Sequence, residues 1–143
     1  MKRRVLFLCT GNSARSQMAE ALVNARWGDR WEACSAGTRP AGYVHPMAVE
    51  VMREIGISME GARSKAVNEF LGQAFDLVVT VCDQAAEACP VWPGQARRVH
   101  LGFPDPAAVQ GSPETVRQAF RRVRDDLAEG LERLLRQVEQ EAP

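Results

Sequence analysis

Cys9-Thr10-Gly11-Asn12-Ser13-Ala14-Arg15-Ser16 puts a thiol ahead of a guanidinium with five residues between them. The apolar run before the thiol predicts a strand, and the pattern after Arg15 predicts a helix. A short loop at such a junction converges its backbone N–H groups on one point, and the helix start adds positive charge. Thr10, Gly11, Asn12, Ser13 and Ala14 with Arg15 are therefore expected to cradle an anion. Arg15 can grip two oxygens of a tetrahedral oxyanion at once. The same field favours the thiolate of Cys9, the nucleophilic form. Gly11 is expected to adopt a backbone angle that most residues avoid. The Ser16 hydroxyl is expected to hold the sulfur further. A buried cysteine followed by an unrelated loop has the same local spelling; the strand-to-helix placement favours the cradle.

Attack by a thiolate on an oxyanion needs an acid for the departing oxygen. Asp105-Pro106 supplies a candidate, with Pro106 stiffening its loop; an ordinary turn aspartate is the alternative. Cys82 and Cys89 follow a third apolar run. They read as a thiol pair, as two buried apolar cysteines, or as half of a metal site that only His45 and His100 could complete. The spacing is wide for zinc, and no metal is expected. Cys34 lies inside a strand and reads as packing.

Arg4 to Cys9 is a buried strand and Ser16 to Trp27 a helix. Trp31 to Ser35 is a second strand, stopped by Ala36-Gly37-Thr38. Pro46 to Ile55 is a helix closed by Gly56, and a short helix is expected around Asn68 to Gln73. Leu77 to Val81 is a central parallel strand, and Arg97 to Leu101 a fourth. Ser112 and Pro113 open a final helix. Its Val116, Phe120, Val123, Leu127, Leu131, Leu134 and Val138 form one apolar stripe. Strands alternating with helices predict an α/β doubly wound parallel sheet. In such a sheet ligands bind beyond the carboxyl ends of the strands, where Cys9, Ser35, Cys82 and Asp105 all fall.

The chain has 143 residues, 45% hydrophobic and 25% charged, with no net charge. That predicts one domain over 1–143, large enough to fold without a disulfide or metal. It also predicts no nucleic-acid or membrane-surface partner, since those call for a basic excess. Arg121, Arg122 and Arg124 are followed by Asp125, Asp126 and Glu129, and read as a solvated helix face. No apolar run reaches the roughly 20 residues a membrane span needs. The apolar start is too short for a signal peptide, so the chain reads as cytoplasmic. Cysteines there are more often catalytic or redox-active than structural.

Taken together, the Cys9-to-Ser16 loop, Ser35-Ala36-Gly37-Thr38 and Asp105-Pro106 resemble the low-molecular-weight protein tyrosine phosphatases. With Cys82 and Cys89 added, the chain resembles the thioredoxin-coupled arsenate reductases of that superfamily. The resemblance implies a three-layer fold with a four-stranded parallel sheet in the order 2-1-3-4 and helices on both faces. It implies that Cys9 attacks arsenate held by Arg15 and the loop amides, with Asp105 protonating the leaving hydroxide. Cys82 then attacks the Cys9 sulfur and expels arsenite. Cys89 attacks Cys82 and frees Cys9, and thioredoxin reduces the Cys82–Cys89 bond. Phosphate and sulfate are the expected competing anions, and no cofactor is implied.

Two positions depart from the family pattern. Ala14 stands where several relatives carry a cysteine outside the redox three. Lys65 stands where potassium-binding relatives have an acidic residue, although Asn12, Glu20 and Ser35 match the rest of that cation site. The Lys65 ammonium is expected to replace the cation and hold Asn12. If residues 82–89 are helical when reduced, the two cysteine Cα atoms lie roughly 10 Å apart. A disulfide allows only about 4.4–6.8 Å, so a redox-linked unwinding is expected. A phosphatase is the competing reading, with Tyr43 at the rim. The missing aromatic beside the acid, where Ala107-Ala108 stand, and the cysteine pair both speak against it. A non-catalytic oxyanion-binding or redox-sensing module has no use for Asp105.

Overall fold

Val5, Leu6, Phe7 and Leu8 are all inaccessible to solvent, which requires that their strand be covered on both faces. The computed structural model describes residues 1–83 and 91–141. Strand β1 (Arg3–Cys9) is an inner strand. It is flanked by β2 (Trp31–Gly37) and β3 (Leu77–Thr80), and β4 (Arg97–His100) pairs outside β3. All pairs are parallel and the order is β2-β1-β3-β4, as expected. The pleat sorts the side chains. Val5, Phe7, Leu77 and Val79 enter the larger core with residues of α1 (Arg15–Arg26), α2 (Pro46–Glu54) and α3 (Pro113–Glu141). Leu6, Leu8 and Val78 face a smaller cluster with Phe75 and Trp92. A short 3-10 turn at Val67–Phe70 packs beside that second cluster, in place of the expected helix near Asn68.

Local signals account for the helix ends. The Pro46 helix starts under His45, whose ring accepts from the Met47 N–H at 3.1 Å. It ends in a paired C-terminal turn: Gly56 N–H reaches the Arg53 carbonyl and Ile57 N–H the Met52 carbonyl. Gly56 takes the positive φ of +78° that this motif needs. Ser112 caps α3, its Oγ accepting from Thr115 N–H at 3.2 Å. The predicted stripe of α3 lies in the larger core, with Phe120, Leu127 and Leu131 fully buried. Among the described residues no helix is long and apolar enough to cross a membrane.

Two expectations need correction. Strand β2 does not stop at Ser35 but continues to Gly37, level with Cys9. A side chain at Gly37 would bring Cβ to 2.4 Å from the Thr10 carbonyl oxygen, so glycine here lets the strand run alongside the loop. Arg124 does not join a solvated face. It is buried, and its guanidinium donates to the Val51 carbonyl and to Glu54, both at 2.8 Å. Helical periodicity turns it toward α2, where Arg121 also clasps Glu54 at 2.6 Å.

This clasp has a pH signature. Arg121, and then Arg124, hold the Glu54 carboxyl at about 2 against an ordinary value of 4.5. A depressed carboxylate stabilises the fold fully above its unfolded value, and the contribution disappears as pH falls through the folded value. Between about pH 4.5 and 2 the melting temperature of the wild type is expected to fall more steeply than that of Glu54→Gln. Parallel slopes in a melting series over that window would contradict it.

Candidate active site

Cys9 ends β1 and Arg15 begins α1, so Thr10 to Ala14 must reverse the chain within one loop. The loop carbonyls are claimed from outside. Thr10 O accepts from Arg39 N–H at 3.0 Å, Gly11 O from Ala41 N–H at 2.8 Å, and Ser13 O from His45 N–H at 2.9 Å. Gly11 O also accepts from Ser64 Oγ at 3.1 Å, and Asn12 O from Gln17 Nε2 at 3.2 Å. In a planar trans peptide the N–H points opposite to the C=O. With these carbonyls outward, the amides of Gly11, Asn12, Ser13 and Ala14 turn inward. The Asn12 N–H accordingly lies 3.2 Å from Cys9 Sγ.

The left-handed position falls on Asn12 (φ +49°) and not on Gly11, which has no positive φ. Asparagine tolerates this conformation better than most residues, and here its side chain is held on every side. Oδ1 accepts from Gln17 Nε2 at 2.9 Å and from Lys65 N–H at 2.8 Å. Nδ2 donates to Ser16 Oγ at 2.8 Å and to Ser35 Oγ at 3.0 Å. These partners fix the polarity of a hydrogen-bond chain. Ser35 Oγ donates to Glu20 Oε1 at 2.5 Å, so it is free to accept from Asn12. Ser16 accepts from Asn12, and its own proton is directed to Cys9 Sγ, 2.8 Å away. Cys9, 2% exposed, thus has its sulfur within reach of the Asn12 N–H and the Ser16 hydroxyl.

Lys65 is buried, with Nζ 2.9 Å from the Arg63 carbonyl and 3.4 Å from Glu20 Oε1. It therefore sits where it neutralises Glu20, the carboxylate at the far end of the chain to Cys9. It is the Lys65 backbone N–H, not the ammonium, that touches Asn12.

Arg15 bridges the loop and the Phe103–Asp105 segment. Its guanidinium donates to Phe103 O at 3.1 Å and lies 3.8 Å from Asp105 Oδ2. The other carboxylate oxygen of Asp105 accepts from Ala107 N–H at 2.9 Å, capping the turn Pro106–Ala108. That cap fixes the loop and leaves the carboxylate part-exposed. Ala107 and Ala108 put no ring beside it, and Tyr43 is exposed. His45 rests on Phe120 with ring centroids 4.6 Å apart. Burial pushes its imidazole below the ordinary range, against the pull of Asp105.

Cys82 lies just past β3. Leu8 pairs with Thr80, and Val81 N–H donates to Leu8 O at 3.0 Å. Cys82 is therefore one position beyond the residue level with Cys9, on the neighbouring strand. It is disulfide-bonded, whereas Cys9 and Cys34 are free thiols. Cys89 lies outside the described residues, and so does most of the segment for which a redox-linked unwinding was expected. Cys34 packs in the smaller cluster, where burial pushes its thiol up despite Arg4 nearby. His45 and His100 are occupied elsewhere: His45 caps α2, and His100 Nδ1 lies 2.8 Å from Thr80 Oγ1.

The tertiary structure adds residues that local patterns did not flag. Gln17 and the carbonyls of Arg63 and Phe103 all support the loop or Arg15. Two of these contacts are made by main-chain atoms, which carry no side-chain signature. Gln17 sits in the buried face of α1 beside Met18; a polar residue there was the available clue.

Known proteins resemble this chain along most of its length. The family model described as low molecular weight phosphotyrosine protein phosphatase matches residues 4–143. An arsenate reductase of Halalkalibacterium halodurans is 48% identical over 88% of this chain and 90% of its own. The crystal structure of arsenate reductase from Archaeoglobus fulgidus is 32% identical and superposes with a TM-score of 0.70, covering 87% of this chain and 96% of that one. A thioredoxin-dependent arsenate reductase of Corynebacterium glutamicum is 26% identical with a TM-score of 0.66, covering 94% of this chain and 62% of that one. With a matching family model over residues 4–143, and with the strand–loop–helix junction and sheet order above, the chain belongs to the low molecular weight phosphotyrosine protein phosphatase family.

Proposed function

We propose that this protein reduces arsenate to arsenite. The observation that carries the reading is the pairing of two thiol centres at the ends of adjacent strands: a free Cys9 inside the loop and a disulfide-bonded Cys82 beside it. A hydrolase has no need of the second. The naming of the Halalkalibacterium and Archaeoglobus relatives supports it.

In the proposed reaction the Thr10–Ala14 amides and Arg15 hold the oxyanion. The Cys9 thiolate forms a sulfur–arsenic bond while Asp105 protonates the departing hydroxide, which leaves as water. The Cys82 thiolate then attacks Cys9 Sγ. The sulfur–sulfur bond forms, the sulfur–arsenic pair stays on arsenic, and As(V) becomes As(III). Cys89 attacks Cys82 and releases Cys9. A dithiol of the thioredoxin class reduces the Cys82–Cys89 bond, a choice supported by the thioredoxin-dependent Corynebacterium relative. A free Cys9 alongside an oxidised Cys82 is the state that awaits this reductant. Phosphate and sulfate compete for the same cradle.

The family model favours the phosphatase reading, as does the likeness to a low molecular weight protein tyrosine phosphatase of T. tengcongensis, and weak aryl phosphate hydrolysis through a Cys9 phosphoenzyme fits the same loop. Arsenite formation with a thioredoxin system, run beside hydrolysis of an aryl phosphate, separates the two. Hydrolysis outpacing arsenite formation would overturn the proposal.

Lys65 has a checkable role in this scheme. Its ammonium takes the place of an alkali cation beside Glu20, so turnover is expected to be the same in potassium and sodium salts. Lys65→Met is expected to slow turnover by leaving Glu20 unneutralised. A several-fold stimulation of the wild type by potassium would refute the substitution of ammonium for cation.

A further inference from the structure

We propose that Gln17 is a positioning residue of the anion loop, setting the direction of the Asn12–Ser13 peptide. The inference rests on the reading of Thr10 to Ala14 as an oxyanion cradle. Gln17 is 1% exposed, and its Nε2 faces three oxygens: Asn12 Oδ1 at 2.9 Å, Asn12 O at 3.2 Å and Arg63 O at 2.8 Å. Acceptors on all three sides allow only the nitrogen in that position. Its Oε1 is buried, with no hydrogen-bond partner among the described residues. A buried acceptor left without a partner is costly. The fold keeps it because turning the amide over would set oxygen against oxygen three times.

The consequences reach the sulfur. Holding the Asn12 carbonyl outward turns the Ser13 N–H inward. Holding Asn12 Oδ1 leaves Nδ2 facing Ser16 and Ser35, and so leaves the Ser16 proton for Cys9. The bond to Arg63 O ties the same amide to the segment whose Lys65 N–H also binds Asn12 Oδ1. Gln17 thereby locks a left-handed residue that is not glycine into the conformation the loop needs.

The test is phosphate binding by calorimetry to the whole chain carrying Gln17→Met or Gln17→Glu, with the wild type alongside. Gln17→Met removes both donors at similar volume and is expected to raise the phosphate Kd about tenfold. Gln17→Glu gives a pH-dependent result. A buried carboxyl titrates upward; protonated, it still donates one hydrogen bond, and ionised, it repels all three oxygens. Its Kd, divided by the wild-type Kd at the same pH, is expected to grow as pH rises from 5 toward 8.5. A packing role alone does not predict that slope. If Gln17→Met fails to fold, the Gln17→Glu series decides. Ratios near one for the folded variants at every pH would overturn the assignment of Gln17. Failure of the wild type itself to bind phosphate would instead overturn the cradle reading.

Discussion

A Cys89→Ser variant is expected to reduce one equivalent of arsenate and then stop, with Cys9 and Cys82 joined. On the proposed relay, Cys82 does its work by attacking Cys9, and the strand register sets it up to do so. Leu8 pairs with Thr80, so Cys9 and Cys82 leave the sheet from adjacent parallel strands one position apart. Neighbouring strands run about 4.8 Å apart, which brings the two residues close without help from Cys89. The first disulfide therefore forms normally, and one arsenite appears per active site. What fails is resolution, since serine is no nucleophile toward a disulfide. The buried Cys9 sulfur is poorly placed for an external thiol. The stalled species then persists on the order of minutes to hours, the scale of uncatalysed disulfide rearrangement. Quenched-flow arsenite counting reads the burst, and peptide mapping under non-reducing conditions identifies the cross-link. Full multiple-turnover activity with thioredoxin would remove Cys89 from the relay.

Asp105→Asn is expected to lower kcat by about 10²- to 10⁴-fold, the usual worth of a positioned acid, while phosphate affinity changes little. The separation follows from what the two carboxylate oxygens do. Oδ1 accepts from Ala107 N–H and caps the turn Pro106–Ala108, and an asparagine oxygen can make the same bond. The acid loop therefore keeps its shape, and the Phe103 carbonyl stays in place for Arg15. Oδ2 lies 3.8 Å from the Arg15 guanidinium, and on the proposed mechanism it is the oxygen that carries the proton. An amide there cannot give up a proton. Single-turnover kinetics of the Cys9 adduct, with phosphate titration as the binding control, measure both quantities. Unchanged kcat would mean that the departing oxygen takes its proton elsewhere.

The strand, loop and arginine-led helix around Cys9 and the turn at Asp105-Pro106 were legible in the sequence because each depends on local chemistry, whereas the order of the sheet followed only from the family resemblance. A cysteine between a buried apolar run and an arginine-led helix states its own backbone geometry. Asp105-Pro106 declares a capped turn, and the period of the apolar residues separates strands from helices. Ser16 was legible for the same reason, being one residue past the arginine. The tertiary structure decided which residue bears the unusual backbone angle. Glycine is the residue that most readily takes such an angle, but the left-handed position is Asn12, whose side chain is held at once by Gln17, Lys65, Ser16 and Ser35. It also decided that β2 runs on to Gly37, where the Thr10 carbonyl leaves no room for a Cβ, and that Arg124 turns inward to Glu54. Those outcomes depend on contacts between residues far apart in the chain, and on main-chain atoms that every residue shares. Patterns of side-chain type along a sequence record neither.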